Sequence, residues 1–188
     1  TRTISSSESL NICDVSTRWL ESIRHTVKES TYSCYLTLIQ KHILTYFNNN
    51  SIITSEHIQQ FINYKITNGL SPTSVRNIVV LLERILRYGE DENLLPVTKR
   101  SFTFPKSSFY INDTLDASQL SILARHLYLE GDVFSVGLLL CMHTGIRIGE
   151  LCGLKGGDFN FTNETFEIHR TISRIRNTES TPNHQDAK

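Results

Sequence analysis

Apolar side chains recur every third or fourth position in four stretches between Val15 and Tyr88, with short polar breaks between them. That spacing predicts four amphipathic helices, each with one face for a core. The first carries Trp19, Leu20, Ile23 and Val27. The second takes Ser30 as its N-cap, aligns Tyr32, Tyr35, Leu36, Ile39 and Ile43, and stops at the turn-like Asn48-Asn49-Asn50. The third follows Thr54, has Glu56 in its first turn, buries Ile58, Phe61 and Ile62, and ends at Asn68-Gly69. The fourth has the clearest start, because Ser71 caps well and Pro72 arrives with φ already set for the first helical position. Its apolar face is Val75, Ile78, Val79, Leu82, Ile85 and Leu86, while Thr73, Arg76, Arg84 and Arg87 gather opposite, with Asn77 at the edge. This helix therefore packs with one side and presents cations with the other.

From Asp91 to Asp113 the helical period disappears, and Pro96, Lys99, Arg100, Pro105 and Lys106 fall in a run of extended character. A new helix starts at Asp116, with Gln119 completing a capping box. The apolar stretch Val133 to Met142 reads as a buried helix that breaks at Thr144-Gly145, restarts near Ile146, runs to about Leu154 and ends at Gly156-Gly157-Asp158. Alternation then takes over, with Phe166, Ile168 and Ile172 on one side and Thr165, Glu167, His169 and Thr171 on the other. That is a strand, the second half of a hairpin with Phe159 and Phe161 around a turn at Asn163-Glu164. The expected fold is mainly α with a small β-hairpin. Its divisions are a flexible lead-in over 1–13, a helical domain over 14–90, a linker over 91–113 and a second domain over 114–188.

Lysine plus arginine and aspartate plus glutamate number 19 each, so the formal charge is zero. A polybasic tail or a strongly cationic whole-molecule field is excluded, and charge must act through local patches. Up to Pro105 there are 11 basic and 9 acidic residues, and beyond it 8 and 10, a weak positive bias of the helical half. The four cysteines, Cys13, Cys34, Cys141 and Cys152, are scattered with no metal-binding spacing, so free thiols, a cytoplasmic setting and no bound metal are expected. The longest nearly apolar run, Val133 to Met142, is about half of a membrane span, and no membrane association is expected.

Chemistry concentrates at Thr144-Gly145-Ile146-Arg147-Ile148-Gly149-Glu150-Leu151, where an arginine and a glutamate three apart share a helical face just after a turn. Such an arginine can grip a phosphate through two N–H groups while the glutamate holds the guanidinium. The same residues also fit a plain surface ion pair beside a helix-capping glycine.

The segment HTGIRIGELCGL resembles the first conserved box of the tyrosine-type site-specific recombinases, the phage integrase family, whose pattern is roughly T-G-x-R-x-x-E-L followed by a leucine and an aspartate. Those positions here are Thr144, Gly145, Arg147, Glu150, Leu151, Leu154 and Asp158. Trp19-Leu20, the run from Val27 to Tyr32 and the run from Gly69 to Arg76 resemble that family's core-binding domain, particularly in integrases of conjugative transposons and phages. A helical domain, a linker and this box in order are far more specific than any one of them.

The resemblance implies a four-helix SAM-like core-binding domain followed by the first part of an α+β catalytic domain. It implies an enzyme in which a tyrosine attacks a DNA phosphodiester, forms a 3′-phosphotyrosyl link and yields it to a second DNA end, so no cofactor is needed. Arg147 becomes the first of two catalytic arginines, Glu150 its acidic support, and Lys188 a candidate for the catalytic lysine unless that residue lies beyond the end. None of the seven histidines has an arginine three residues on, and all seven tyrosines precede Arg147, so the second arginine box and the nucleophile are missing. Alone, this chain is expected not to cleave DNA. Gly156 also stands near where the family commonly has a tryptophan.

The implied partner is double-stranded DNA, clamped between the two domains, with tetramers of the full-length protein and accessory DNA-bending proteins as further partners. Candidate DNA contacts are Thr31, Tyr35, Lys41, His42, Ser71, Thr73, Arg76, Asn77, Arg84 and Arg87 on the helices. Lys99, Arg100 and Lys106 on the linker and His169, Arg170 and Arg174 on the strand complete the set. Most would touch phosphates and give affinity without reading sequence. The tyrosines and Trp19 at helical spacing fit a core better than a stacking platform for bases. Two other readings remain: a non-catalytic DNA-binding regulator or architectural protein of the same fold, and a helical interaction domain in which the motif is coincidence.

Overall fold

The computed structural model describes residues 10–47, 52–106 and 113–174, and the chain divides into two compact units, Thr1–Phe109 and Tyr110–Lys188. Most of the expected lead-in, the Asn48-Asn49-Asn50 turn, part of the linker and Lys188 lie outside the described residues.

In the first unit α1 (Ile12–Ile23) starts earlier than the periodicity suggests, because Asn11 caps it by accepting the Asp14 N–H at 3.1 Å. It buries Ile12 and Val15, stops at Ile23, and leaves Val27 beyond its end. Helix α2 (Glu29–Leu38) takes Lys28, not Ser30, as its N-cap, in extended conformation and without a side-chain bond. It continues through a π-helical segment (Ile39–Leu44) into a last turn, α3 (Thr45–Phe47), so the four expected helices are present, with a bulge in the second. Ile39, Ile43 and Phe47 are all buried, and across the π segment the Thr45 hydroxyl donates to the Gln40 carbonyl at 2.9 Å.

Helix α4 (Ser55–Thr67) is capped by Thr54, whose side chain accepts the His57 N–H while the His57 ring accepts the Thr54 N–H. Ser71 caps α5 (Pro72–Asp91) as expected, accepting the Ser74 N–H at 3.1 Å. Val75, Ile78, Val79, Leu82, Ile85 and Leu86 are buried as the wheel places them, and Leu81 joins them. Helices α1 and α4 and the π segment pack on α5, and the rings of Phe47, Phe61 and Tyr46 meet edge-on or tilted with centroids about 5 Å apart.

The segment expected to be a linker is extended but fastened to this unit along residues 94–104. Leu94, Leu95, Phe102 and Phe104 pack against the helical core. The Gln59 carboxamide accepts the Thr103 N–H at 2.9 Å and donates to the Thr103 carbonyl at 3.3 Å, and Ser55 accepts the Ser101 N–H at 3.0 Å. Arg100 reaches Glu83 at 3.0 Å and Glu90 at 2.7 Å, with only 7% of its side chain exposed. A strap with this many attachments belongs to the domain.

In the second unit the Asp116–Gln119 capping box forms at both of its bonds and starts α6 (Ala117–Glu130). Asp132 caps α7 (Val133–Thr144), which is helical as expected but not buried. Only Ser135 and Leu139 of α7 are buried, whereas Val133 and Phe134 are 87% and 82% exposed. The apolar run predicts a core on all sides, but in this unit α6 and α8 (Ile148–Gly153) cover only part of it. Helix α8 starts two residues later than expected and leads through a short 3₁₀ turn (Gly156–Asp158) into a hairpin of β1 (Phe159–Asn160) and β2 (Thr165–Phe166). Phe159 pairs with Phe166 and Asn160 with Thr165, antiparallel.

The strand is shorter than the alternation suggests, because after Phe166 the chain leaves the sheet and runs along α8. Phe161 falls in the turn and is 84% exposed. The mainly helical fold with a small antiparallel hairpin is borne out.

Candidate functional site

Thr144, Gly145 and Arg147 form the corner between α7 and α8. The Thr144 hydroxyl turns back to the Leu140 carbonyl at 2.6 Å, closing the last turn of α7. Gly145 then adopts φ +71°, a left-handed conformation that side chains with a Cβ resist, and its N–H caps α7 on the Cys141 carbonyl. The glycine of the motif is thus what allows the sharp reversal that delivers Arg147.

Arg147 is the N-cap of α8, and Glu150, three residues on, folds back over it. One Glu150 oxygen accepts the Arg147 backbone N–H at 3.0 Å and the other accepts a guanidinium N–H at 3.1 Å. The Arg147 backbone N–H, and then its guanidinium, hold the Glu150 carboxyl below its ordinary pKa against the smaller opposing effect of burial. Glu150 is therefore a carboxylate at neutral pH. The Arg147 side chain is 85% exposed and Glu150 17%, so the guanidinium is braced at one nitrogen while the rest faces outward. This arrangement can present N–H donors to an anion with part of the orientation already set.

Behind the corner, Arg170 forms a two-point pair with Asp158, Nη1 to Oδ2 at 2.8 Å and Nη2 to Oδ1 at 3.1 Å. The Lys155 backbone N–H, first, and Arg170, second, keep Asp158 well inside its ionised range. Arg170, expected on an open strand face, is turned inward. Sequence reasoning missed this pair: Asp158 belongs to the quoted box, but an arginine twelve residues on carries no spacing signature.

The candidates of the helical unit sort by what each touches. Arg76, Arg84 and Arg87 are exposed on α5, as are Thr73 and Asn77. Arg84 donates to the Tyr35 hydroxyl at 3.1 Å, which joins the polar edges of α2 and α5. Arg76 lies over the Phe104 ring at 4.3 Å, and Arg84 and Arg87 line a groove of about 300 Å³ with Phe102 and Phe104. Three arginines of α5 thus flank the aromatic residues of the strap.

Lys41 is exposed and His42 half-buried on the π segment, and burial, then the charges of Lys65 and Lys41, lower the His42 pKa. Thr31 is half-buried, and the Ser71 hydroxyl is engaged in its cap, donating to the Ser74 hydroxyl. Tyr35 and Trp19 meet as tilted rings with centroids 5.5 Å apart at the margin of the core. Lys99 and Lys106 are exposed, and so is Arg174 in the second unit.

Arg100, unlike the other cationic candidates of the helical unit, has its guanidinium turned onto Glu83 and Glu90 and withdrawn from solvent. The four cysteines are free thiols, and among the described residues no cluster could hold a metal ion and no helix is long and apolar enough to cross a membrane.

Comparison with known proteins gives three findings. Residues 13–66 match the family of the phage integrase N-terminal SAM-like domain. A tyrosine recombinase XerC-like protein of Caldanaerobacter subterraneus subsp. tengcongensis is 26% identical over 181 residues, which cover 89% of this chain and 45% of that protein. The chain thus spans less than half the length of this curated relative.

Among solved structures, the Tn1549 transposon integrase in complex with circular intermediate DNA matches with TM-score 0.70 at 20% identity, over 91% of this chain and 57% of that one. A lambda integrase tetramer bound to a Holliday junction matches with TM-score 0.68 at 18% identity, over 93% and 50%. The fold is that of these integrases, and the resemblance drawn from the sequence is borne out.

Proposed function

We propose that this chain, a relative of the phage integrases and XerC-like tyrosine recombinases, is the front portion of a site-specific DNA recombinase. In this reading the helical unit supplies DNA affinity, and the second unit supplies the first residues of the strand-cleavage site. The observation that carries it is the Arg147–Glu150 corner, an exposed guanidinium steadied by a carboxylate at 3.1 Å, at the box the resemblance assigns to catalysis.

During phosphoryl transfer, charge gathers on the non-bridging oxygens, and a preorganised cation stabilises it; losing one such donor costs on the order of a hundredfold or more in rate. Arg147 is the donor and Glu150 fixes its direction. On DNA, Arg76, Arg84 and Arg87, with Thr73 and Asn77 on the same helix, Tyr35 bonded to Arg84, and Lys41 and His42 on the π segment, contact backbone phosphates. The domain organisation belongs to the same proposal, with a strap-bearing core-binding domain first and the opening of a catalytic domain after it.

By this reading the chain alone binds duplex DNA with an affinity that falls steeply with salt, and forms no covalent adduct. In the protein extended along its natural reading frame to include a nucleophilic tyrosine, Arg147→Ala leaves DNA affinity largely intact and abolishes the covalent protein–DNA adduct. Adduct formation at the normal rate by that variant would refute the assignment of Arg147. A frame that supplies no downstream arginine box and tyrosine would leave a DNA-binding protein without the chemistry.

A further inference from the structure

We infer that Arg170, clamped on Asp158, is a positioning residue that fixes the short helix carrying Arg147 and Glu150. The inference rests on the reading of those two residues as the phosphate-handling corner. Helix α8 has six residues, far below the roughly 12–15 that give even a marginal isolated helix, so its direction must come from what it packs on.

One side of α8 meets α7, where Leu151 lies against Gly137, and the other is held by the extended chain after the hairpin. The Ile172 N–H donates to the Gly149 carbonyl at 2.9 Å, and the Glu167 N–H donates to the Asp158 carbonyl at 3.0 Å. Between them Arg170 donates from Nη1 to the Gly153 carbonyl at 2.8 Å and grips Asp158 with both of its terminal nitrogens. The helix is therefore held near its start, at its last residue and just past its end.

Two glycines let the chain come this close. A Cβ at Gly149 would stand 2.8 Å from the Ile172 carbonyl oxygen, and one at Gly153 would stand 2.7 Å from that of Arg170. Both obstacles are backbone atoms, which cannot rotate away. Backbone thus lies directly on the helix, and the guanidinium locks it there.

Arg170 and Arg147 differ accordingly. The Arg170 side chain is 21% exposed and that of Asp158 7%, against 85% for Arg147. One arginine is a tether and the other is presented outward. A planar fork that serves a carboxylate and a carbonyl at once is a task for arginine that lysine cannot reproduce.

The test follows the Glu150 carboxyl by ¹³C NMR through a pH titration of the full chain, with Arg170→Ala, Arg170→Lys and the isosteric Asp158→Asn compared with the unsubstituted protein. Trp19 fluorescence monitors the helical unit independently. When the tether is cut, the Arg147 N–H and guanidinium no longer meet Glu150 in fixed geometry. Its titration then moves up toward the ordinary carboxyl value in Arg170→Ala, less far in Asp158→Asn, and is partly restored in Arg170→Lys. If the second unit of Arg170→Ala fails to fold, Asp158→Asn carries the test, because its amide oxygen still accepts the Lys155 N–H. A Glu150 titration unmoved in folded Arg170→Ala or folded Asp158→Asn overturns the inference. No DNA enters this measurement, so its failure is separate from the failure of the phosphate reading, which is decided by adduct formation.

Discussion

Replacing Arg100 by methionine, which keeps most of the stem and removes the charge, tests whether the strap belongs to the helical domain. The guanidinium is 7% exposed and sits between Glu83, 24% exposed, and Glu90, 13% exposed. Removing one partner of a buried pair costs about 3–5 kcal/mol, because the other charge is left without compensation. Here both carboxylates retain some water, so the expected loss is reduced to about 2–3 kcal/mol. For a domain of this size that corresponds to roughly 10–20 °C in Tm. The assay is denaturant unfolding followed by Trp19, the single tryptophan, which is 7% exposed in α1 and reports this unit.

The pH dependence adds a second constraint. Burial works to raise the Glu90 pKa, but the Arg100 guanidinium, the Thr98 backbone N–H and the charges of Arg100 and Arg87 together hold it below its ordinary value. A carboxyl depressed in the folded state contributes stability above its unfolded pKa and loses it as pH falls through the folded one. The difference between the two proteins is therefore complete at neutral pH and narrows on acidification through the carboxylate range. DNA affinity should keep its salt slope, since the Arg100 guanidinium is already occupied by Glu83 and Glu90. A variant within about 0.5 kcal/mol of the parent, with its salt slope lowered by about one, would refute the reasoning and return Arg100 to the DNA.

Two further outcomes follow from neighbouring contacts. Arg76→Ala should weaken DNA binding across sequences and lower the salt slope by about one, measured by titration at several salt concentrations; unchanged binding removes it from the contact set. Gly89→Ala should destabilise the helical unit by about 1–3 kcal/mol in thermal unfolding, because the added Cβ would stand 2.7 Å from Leu95 Cδ1 and 3.0 Å from Val15 Cγ1. A neutral Gly89→Ala would mean that Leu95 is not seated on α5.

The helices were legible because each obeys a local rule. The α5 start at Ser71-Pro72, its buried face, and the Asp116–Gln119 box follow from side chains within one or two turns. Where distant chain intervenes, the local rules fail. The π segment after Leu38 leaves no trace in the apolar spacing, since Ile39 and Ile43 satisfy an ordinary helix equally well. The alternation through Ile172 reads as one strand, yet backbone groups of Gly149 and Asp158 capture the chain after Phe166. Proline and scattered charge over 91–113 read as a linker because nothing local reveals that Gln59 and Glu83 wait for Thr103 and Arg100. In the site itself the corner was readable as a motif, whereas the tether that holds it was not.

The arginines make the physical reason plain. Arg76, Arg84, Arg100, Arg147 and Arg170 have the same side chain, and by sequence each is a polar cation on or beside a helix or strand. Their roles are set by partners between 3 and 49 positions away: the Phe104 ring for Arg76, a tyrosine hydroxyl for Arg84, two carboxylates for Arg100, one carboxylate for Arg170, and a glutamate one helical turn on that leaves Arg147 open. A cation that finds an acid in the folded chain loses much of its capacity to bind an external anion, because desolvation and pairing have already fixed its hydrogen bonds. Arg147 escapes this because its partner is three residues away and bonds one nitrogen from one side. On the proposed reading, that single-sided support is what leaves Arg147 open to a phosphate while Arg100 and Arg170 hold the fold, and it depends on geometry that spacing alone does not record.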